Sequence, residues 1–412
     1  MVTYEHDVHF PSKRNERNRV LILPIIAVFL LVGGALYVTT APQFGAAPDE
    51  ASQEIFASSP QFRNGRFENR GNVSVDLKGG SMFKTLMEFI TSADTKPAQP
   101  LPVAAEAQQA PHAIPDTAVR VTWFGHSAIF LELEGKRILI DPMLGPAASP
   151  LPIFGKRFAL KDRIDMSRFS RIDAVIISHD HYDHLDYRSI RKLKKHVRHF
   201  YVPLGVGSHL RRWGVPAERI TELDWWESAS FDGIELTATP AQHFSGRGLS
   251  DRNSTLWASW VIRGNHGNIF FSGDGGYGPH FKEIGERFGP FDLTMMECGQ
   301  YNEKWAKIHS MPEESVQAHI DLRGEIMMPI HWGAFQLAVH PWTEPAERAI
   351  AAAEERQVAI MTPLIGQPVL LGSEFPKRRW WEKGTAASAS TNTTGTDLAM
   401  MHTRLKTAGS EK

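Results

Sequence analysis

One cysteine, Cys298, stands in a chain of 412 residues. No intramolecular disulfide can form and no cysteine-rich zinc module can be built, so any metal must be held by histidine, aspartate and glutamate. Cys298 follows the apolar run Leu293-Thr294-Met295-Met296, which predicts a buried, inert thiol rather than a nucleophile. Net charge is also missing, because 45 basic and 46 acidic residues cancel to −1. No global field favours nucleic acid, and no basic motif array takes its place. There is no internal repeat of short period either.

A third absence is local: no charged residue appears from Val20 until Asp49. The apolar stretch Val20 to Val38 is long enough to cross a bilayer, and Lys13, Arg14, Arg17 and Arg19 precede it, which keeps the N-terminus cytoplasmic. The expectation is an uncleaved single-pass signal anchor with the catalytic part on the extracytoplasmic side, periplasmic in a Gram-negative cell. A secretory signal cleaved near Thr39-Thr40-Ala41 is the alternative. The domain reading that follows is a cytoplasmic stub and transmembrane helix over 1–45 and a linker over 46–117. Ala, Pro, Gln and Ser dominate that linker, and it carries a short amphipathic helix with Met82, Phe83, Leu86 and Ile90 on one face. A folded catalytic domain over 118–375 comes next, then an Ala/Ser/Thr-rich disordered tail over 376–412.

An apolar fraction of 42% supports a sizeable core. Strands are predicted over Val119–Phe124, Ile129–Leu133 and Arg137–Ile140, the last two joined by the hairpin signal Glu134-Gly135. Tyr187–His196 reads as a basic helix. Further strands are expected at His199–Val202, Ile234–Thr239, Leu256–Ile262, Asn268–Phe271, Leu293–Met296 and Ile326–Ile330, with helices at Glu313–Arg323 and Glu344–Arg356. Hairpins early and late with helices between them suggest an α/β protein of two sheets packed face to face, helices outside.

The most informative stretch is Ser178-His179-Asp180-His181-Tyr182-Asp183-His184. It follows the β-branched run Ile172–Ile177, so the cluster sits on the loop leaving a buried strand. His179 and His181 can converge on one ion while Asp183 and His184 face a second. Imidazole suits zinc, iron or another late first-row metal, and carboxylate adds the negative charge that holds two cations close. Three distant residues obey the same rule of a ligand just past an apolar run: His243, Asp274 and His331. The glycines of Gly273-Asp274-Gly275-Gly276 suit a tight turn that brings a carboxylate between two ions.

The signature His179-x-His181-x-Asp183-His184, then His243, Asp274 and His331, resembles the metallo-β-lactamase superfamily. Within it the similarity is greatest to the N-acyl-phosphatidylethanolamine-hydrolysing phospholipase D family. Gly125-His126-Ser127, Asp141-Pro142, Asp224-Trp225-Trp226-Glu227, Leu256-Trp257-Ala258-Ser259-Trp260 and His331-Trp332-Gly333 extend the match over roughly 119–345, with a fainter echo at Ser59–Asn69. The resemblance implies an αβ/βα four-layer sandwich and two divalent ions, zinc in the family. One ion would take His179, His181 and His243, the other Asp183, His184 and His331, with Asp274 bridging.

It also implies a phospholipase D-type phosphodiesterase that cleaves such lipids to phosphatidate and N-acylethanolamine, using a hydroxide held between the metals, and the N-terminal apolar run, which lies outside the resemblance, would anchor it to the membrane. Asp183 and Asp274 would belong to the catalytic machinery. His309, in His309-Ser310-Met311-Pro312, would have an auxiliary role toward substrate, and Asp141 and His126 would orient ligands. Trp225, Trp226, Trp257 and Trp260 form either an apolar wall for acyl chains or ordinary core. The expected partners are a phospholipid or other small-molecule ester, the membrane through the N-terminal helix, and no nucleic acid. A lactonase or carboxylic-ester hydrolase of the same superfamily is the alternative. A non-catalytic protein with a structural metal is the third reading, disfavoured because structural zinc needs only four closed ligands.

Overall fold

Glu134 and Gly135 both take left-handed backbone, φ 54° and 68°, and close a tight hairpin between Ile129–Leu133 and Lys136–Ile140. Such a turn matches the right-handed twist of its strands, and the sheet grows outward from it. In this computed structural model, residues 28–29, 31–71, 73, 87–89 and 91–382 are described. The chain divides into a unit over Met1–Arg378 and a second over Arg379–Lys412, and everything below concerns the first.

The elements in order are α1 (Glu50–Phe56), β1 (Phe62–Arg63), β2 (Arg66–Phe67), β3 (Arg120–Trp123), β4 (Ile129–Leu133), β5 (Lys136–Ile140), β6 (Ile172–Ile176), α2 (Tyr187–Leu193), β7 (Val197–Pro203), α3 (Gly207–Arg212) and β8 (Ile220–Leu223). A second series follows: β9 (Ser228–Phe231), β10 (Ile234–Thr239), β11 (Ser259–Arg263), β12 (Asn268–Phe271), α4 (His280–Phe288), β13 (Phe291–Glu297), α5 (Pro312–Asp321), β14 (Gly324–Ile330), α6 (Glu344–Glu355), β15 (Ala359–Ile360) and β16 (Pro368–Leu370). One seven-stranded sheet runs β16-β3-β4-β5-β6-β7-β8 and the other β15-β14-β13-β12-β11-β10-β9. The two are built alike. Three antiparallel pairings lead to β5 in the first sheet and to β12 in the second, and three parallel pairings follow in each.

Strand alternation sorts the core into layers. Phe130, Val175 and Ile177 join the cluster under α2 and α3, so Leu131, Ala174 and Ile176, all buried, face the other sheet. Phe270 and Met327 likewise pack under α4, α5 and α6, and their neighbours Phe271 and Met328 point inward. This is a metallo-β-lactamase α/β sandwich: helices, sheet, sheet, helices. Most expected elements form within a few residues of their predicted ends. The strand foreseen from Leu256 begins only at Ser259, because Leu256 and Ala258 give their amides to Leu204 and Ser178, on the loops leaving β7 and β6 of the first sheet. Helix α4 was not foreseen, although Phe281, Ile284 and Phe288 share one face of it.

Residues 46–71, read from composition as linker, are packed. Asp49 caps α1 by accepting from the Ser52 amide, and Phe56 and Phe67 are fully buried, their rings 5.1 Å apart. Aromatic burial outweighs the polar composition around it. Of the expected anchor over 20–38, residues 20–27 and 30 lie outside the described residues, while 31–40 are helical. Among the described residues no helix is long and apolar enough to cross a membrane. The expected helix at 82–90 lies outside the described residues except for 87–89, which are helical, and the tail beyond 382 lies outside them altogether.

Candidate metal centre

Every predicted ligand lies on a loop leaving a strand of the sandwich. His126 follows β3, Asp141 follows β5 and His179 to His184 follow β6. In the other sheet His243 follows β10, Asp274 follows β12, Glu297 ends β13 and His331 follows β14. The two sheets are joined at this rim: His126 donates its amide to Trp332 O at 2.8 Å, and His331 donates to His126 O at 2.9 Å. His126, Asp141 and His331 all adopt left-handed backbone, φ 55°, 41° and 68°. Such strain in non-glycine residues persists where surrounding contacts over-determine it. Gly273, at φ 57°, precedes Asp274, and a Cβ there would meet Ala258 O at 2.8 Å, so only glycine lets the turn pass.

The hydrogen bonds assign the imidazole nitrogens. Carbonyls only accept, so His243 Nδ1 donates to Ile308 O at 2.9 Å and His331 Nδ1 donates to Gly299 O at 3.1 Å. His184 Nδ1 donates to Asp141 Oδ2 at 2.6 Å. Ser178 spends its hydroxyl proton on the same carboxylate at 2.5 Å, and therefore accepts from His179 Nδ1 at 2.9 Å. Four rings thus commit Nδ1 outward and turn Nε2 inward.

They face Asp274. His331 Nε2 lies 2.9 Å from Asp274 Oδ2, His184 Nε2 3.1 Å from Oδ1, His243 Nε2 3.9 Å and His179 Nε2 4.0 Å from Oδ2. His181 Nδ1 lies 2.9 Å from His179 Nε2 and 3.1 Å from His243 Nε2. Asp183 Oδ2 lies 3.5 Å from His184 Nε2 and 3.4 Å from His331 Nε2, and accepts from His126 Nε2 at 2.8 Å. All seven predicted ligands come together, in the two expected groups with Asp274 between them.

Lone pairs converging on one another and on a carboxylate repel unless positive charge sits among them. The titration behaviour carries the same demand. Burial alone would lower His331 and His184, yet Asp274 and Asp183 raise His331 to about 10 and His184 well above its ordinary value. Burial and neighbouring imidazoles hold His179 and His243 well below theirs, so these rings keep their lone pairs at neutral pH. The buried atoms His184 Nε2 and Asp274 Oδ1 have no hydrogen-bond partner, as befits donors aimed at a cation. The donor set, five imidazoles and two carboxylates without a thiolate, fits late first-row divalent ions.

Several contributors escaped the sequence reading. Glu297 is buried, accepts from Gly275 N and from His309 Nδ1, and lies 3.8 Å from His331 Nδ1. It obeys the strand-end rule that exposed His243 and Asp274, and that signal was available. Asn69 grips His243 on both sides of its peptide: Nδ2 donates to His243 O at 2.8 Å and Oδ1 accepts from His243 N at 3.1 Å. Arg247, 3% exposed, donates to Asp180 O and Leu185 O and to Gln43 O, which ties the histidine loop to the N-terminal segment.

Trp225, Trp257 and Trp260 are buried core, their indole N–H groups bonded to Trp257 O, Ala241 O and Ile177 O. Trp226 stacks on Phe288. An acyl wall made of these four is therefore not what the fold builds. Cys298 is buried, as expected.

Comparison with known proteins agrees with this geometry. The model of the beta-lactamase superfamily domain matches residues 136–332. An uncharacterised Mycobacterium tuberculosis protein is 42% identical over 342 residues, covering 81% of this chain and 90% of its own. N-acyl-phosphatidylethanolamine-hydrolyzing phospholipase D 1 of Caenorhabditis elegans is 32% identical over 247 residues, 57% of this chain and 69% of that protein. A metal-dependent hydrolase of Methanopyrus kandleri is 26% identical over 225 residues, 53% of this chain and 85% of the other.

Proposed function

The chain belongs to the metallo-β-lactamase superfamily and is a metal-dependent hydrolase, and we propose that it is a phospholipase D-type phosphodiesterase acting on N-acyl-phosphatidylethanolamine-like lipids. The observation that carries the reading is the ring of inward lone pairs around Asp274, together with the similarity to the nematode phospholipase D over most of that protein's length.

In this reading His179, His181 and His243 would hold one zinc ion and Asp183, His184 and His331 another, with the Asp274 carboxylate lying between the two groups. When bound, divalent cations acidify water and offset the charge of a phosphodiester. The chain's own groups do the rest. Ser178 and Asp141 keep His179 and His184 in the tautomer that faces inward. His309, its Nδ1 held by Glu297 and its ring 5.3 Å from that of His331, would give a proton from Nε2 to the departing alkoxide. Water adds to phosphorus, the bond from phosphorus to the ethanolamine oxygen breaks, and phosphatidate and N-acylethanolamine leave. The apolar run over 20–38 would anchor the enzyme with this site outside the cytoplasm. A topology reporter fused after residue 382 checks that placement, and cytoplasmic signal contradicts it.

Hydrolysis in ¹⁸O-water tests the reaction. A phosphodiesterase places the label in phosphatidate, whereas label in a fatty acid, or turnover confined to lactones, replaces the substrate class by a carboxylic ester.

A further inference from the structure

Among the described residues twelve large apolar side chains are exposed, and eight of them gather in two places: five on residues 28–29 and 31–36, and three, Leu151, Ile153 and Phe154, on one loop. The two places adjoin. Tyr37 Oη donates to Pro150 O at 3.0 Å, and Gln43 Nε2 donates to the same carbonyl at 3.2 Å. Ile153 is 66% exposed and Phe154 60%, a high exposure for two adjacent large side chains.

Behind this edge lies a cavity of about 700 Å³, walled on one side by Tyr37, Pro150 and Pro152 and on the other by Arg188, Arg191 and Lys192 of α2. These three residues are exposed and form no ion pair with any described carboxylate. Asp186 is the one acidic residue in the wall, and it is engaged in capping α2 through Ser189 N at 2.9 Å and Ser189 Oγ at 2.6 Å. From Pro142 to Lys161 the chain contains no acidic residue but carries Lys156, Arg157 and Lys161. A basic helix face therefore stands beside an apolar edge, the pattern that seats a protein at a bilayer interface.

We propose that the loop over 151–154 and the basic face of α2 form a docking surface of the catalytic domain for anionic phospholipid bilayers. Leu151, Ile153 and Phe154 enter the boundary between headgroups and acyl chains, and Arg188, Arg191 and Lys192 take lipid phosphates. The surface is a binding property and does not depend on the reaction assigned above. It adjoins the metal centre through Tyr182, which lines the cavity between the ligands His181 and Asp183 in the chain.

The test uses the full-length chain. Cys298 is buried, so Ile153→Cys creates the one accessible thiol for an environment-sensitive fluorophore, and Ile320→Cys on α5, in the opposite helical layer, is the control. Phosphatidylcholine vesicles containing phosphatidylglycerol should blue-shift the probe at 153 and leave the probe at 320 unchanged. Because the segment over 20–38 would hold the full-length chain on the vesicle in either case, the readout is insertion of the probe at 153, whose equilibrium should weaken on the order of 100-fold when Arg188→Gln, Arg191→Gln and Lys192→Gln are added, from roughly five-fold per surface charge. A probe at 153 that stays in water, an equal shift at 320, or a shift indifferent to removal of the three charges overturns the proposal.

Discussion

Asp141 Oδ2 accepts the Nδ1 proton of His184 at 2.6 Å, and the same carboxylate holds Ser178 through its amide at 2.7 Å and its hydroxyl at 2.5 Å. One residue that touches no inward lone pair thus decides which nitrogen two histidines present. Asp141→Asn replaces one accepting oxygen by an N–H donor that faces another donor. Metal affinity should fall roughly 10–100-fold, read by competition with a chromophoric chelator, and unchanged affinity would separate Asp141 from the metal site.

Asp274 stands within 4.0 Å of four inward Nε2 atoms. Asp274→Asn removes the charge that offsets two bound cations, so metal content and hydrolysis should both be lost while circular dichroism stays that of a folded chain. Full activity in this variant would sink the shared-ligand assignment.

Asn69 belongs to the segment before the main sandwich, yet it bonds both sides of the His243 peptide and the Trp257 indole. Asn69→Ala leaves the His243 N–H and carbonyl without their side-chain partner, while the Trp257 indole keeps Ala241 O, at a cost of about 1–3 kcal/mol. A lowered urea midpoint together with weaker metal binding is the expected pair of results. A stability loss with unaltered metal affinity would mean that Asn69 supports the fold alone.

The N-terminal segment should tolerate a cut before Thr40 but not one after Ala46. Pro42 O accepts from Trp213 Nε1 at 2.6 Å, Gln43 O accepts from Arg247 at 2.7 Å, and Ala46 N donates to His209 Nδ1 at 3.1 Å. Losing them takes the Gln43 acceptor from Nε and Nη2 of the buried Arg247, whose Nη1 keeps Asp180 O and Leu185 O, at about 1–3 kcal/mol for each unsatisfied group. Thermal melts of chains lacking 1–39 and 1–46 should differ clearly, the longer deletion being the weaker, and equal melting temperatures would show that the docked segment contributes nothing.

His309 and Glu297 predict a separation of chemistry from metal binding. His309→Asn should lower kcat roughly 10²–10⁴-fold with metal content preserved, and Glu297→Gln, which still accepts from Nδ1, should retain more activity than Glu297→Ala. If His309→Asn instead loses metal, the residue is a ligand rather than a proton donor.

The site was legible where its donors are contiguous or end an apolar run. His179, His181, Asp183 and His184 fall within six residues, and His243, Asp274 and His331 each follow a strand whose β-branched or aromatic character is plain. Glu297 was legible by the same strand-end rule and was passed over, whereas Asn69 and Arg247 were illegible for a physical reason: they act through hydrogen bonds to partners about 60 to 200 residues away in the chain, and no local pattern records a partner so distant. Phe56 and Phe67 misled for a related reason. Two aromatic rings in a polar stretch carry no period, yet their burial docks the segment on the sandwich. The likeness of the two sheets was hidden as well, because pairing order is a property of hydrogen bonds and not of residue type.

The central claim is that seven converging donors make a site for two divalent cations. Chelated full-length protein, titrated with zinc and washed, should bind two ions per chain by elemental mass spectrometry; one ion, or none retained, would contradict the account.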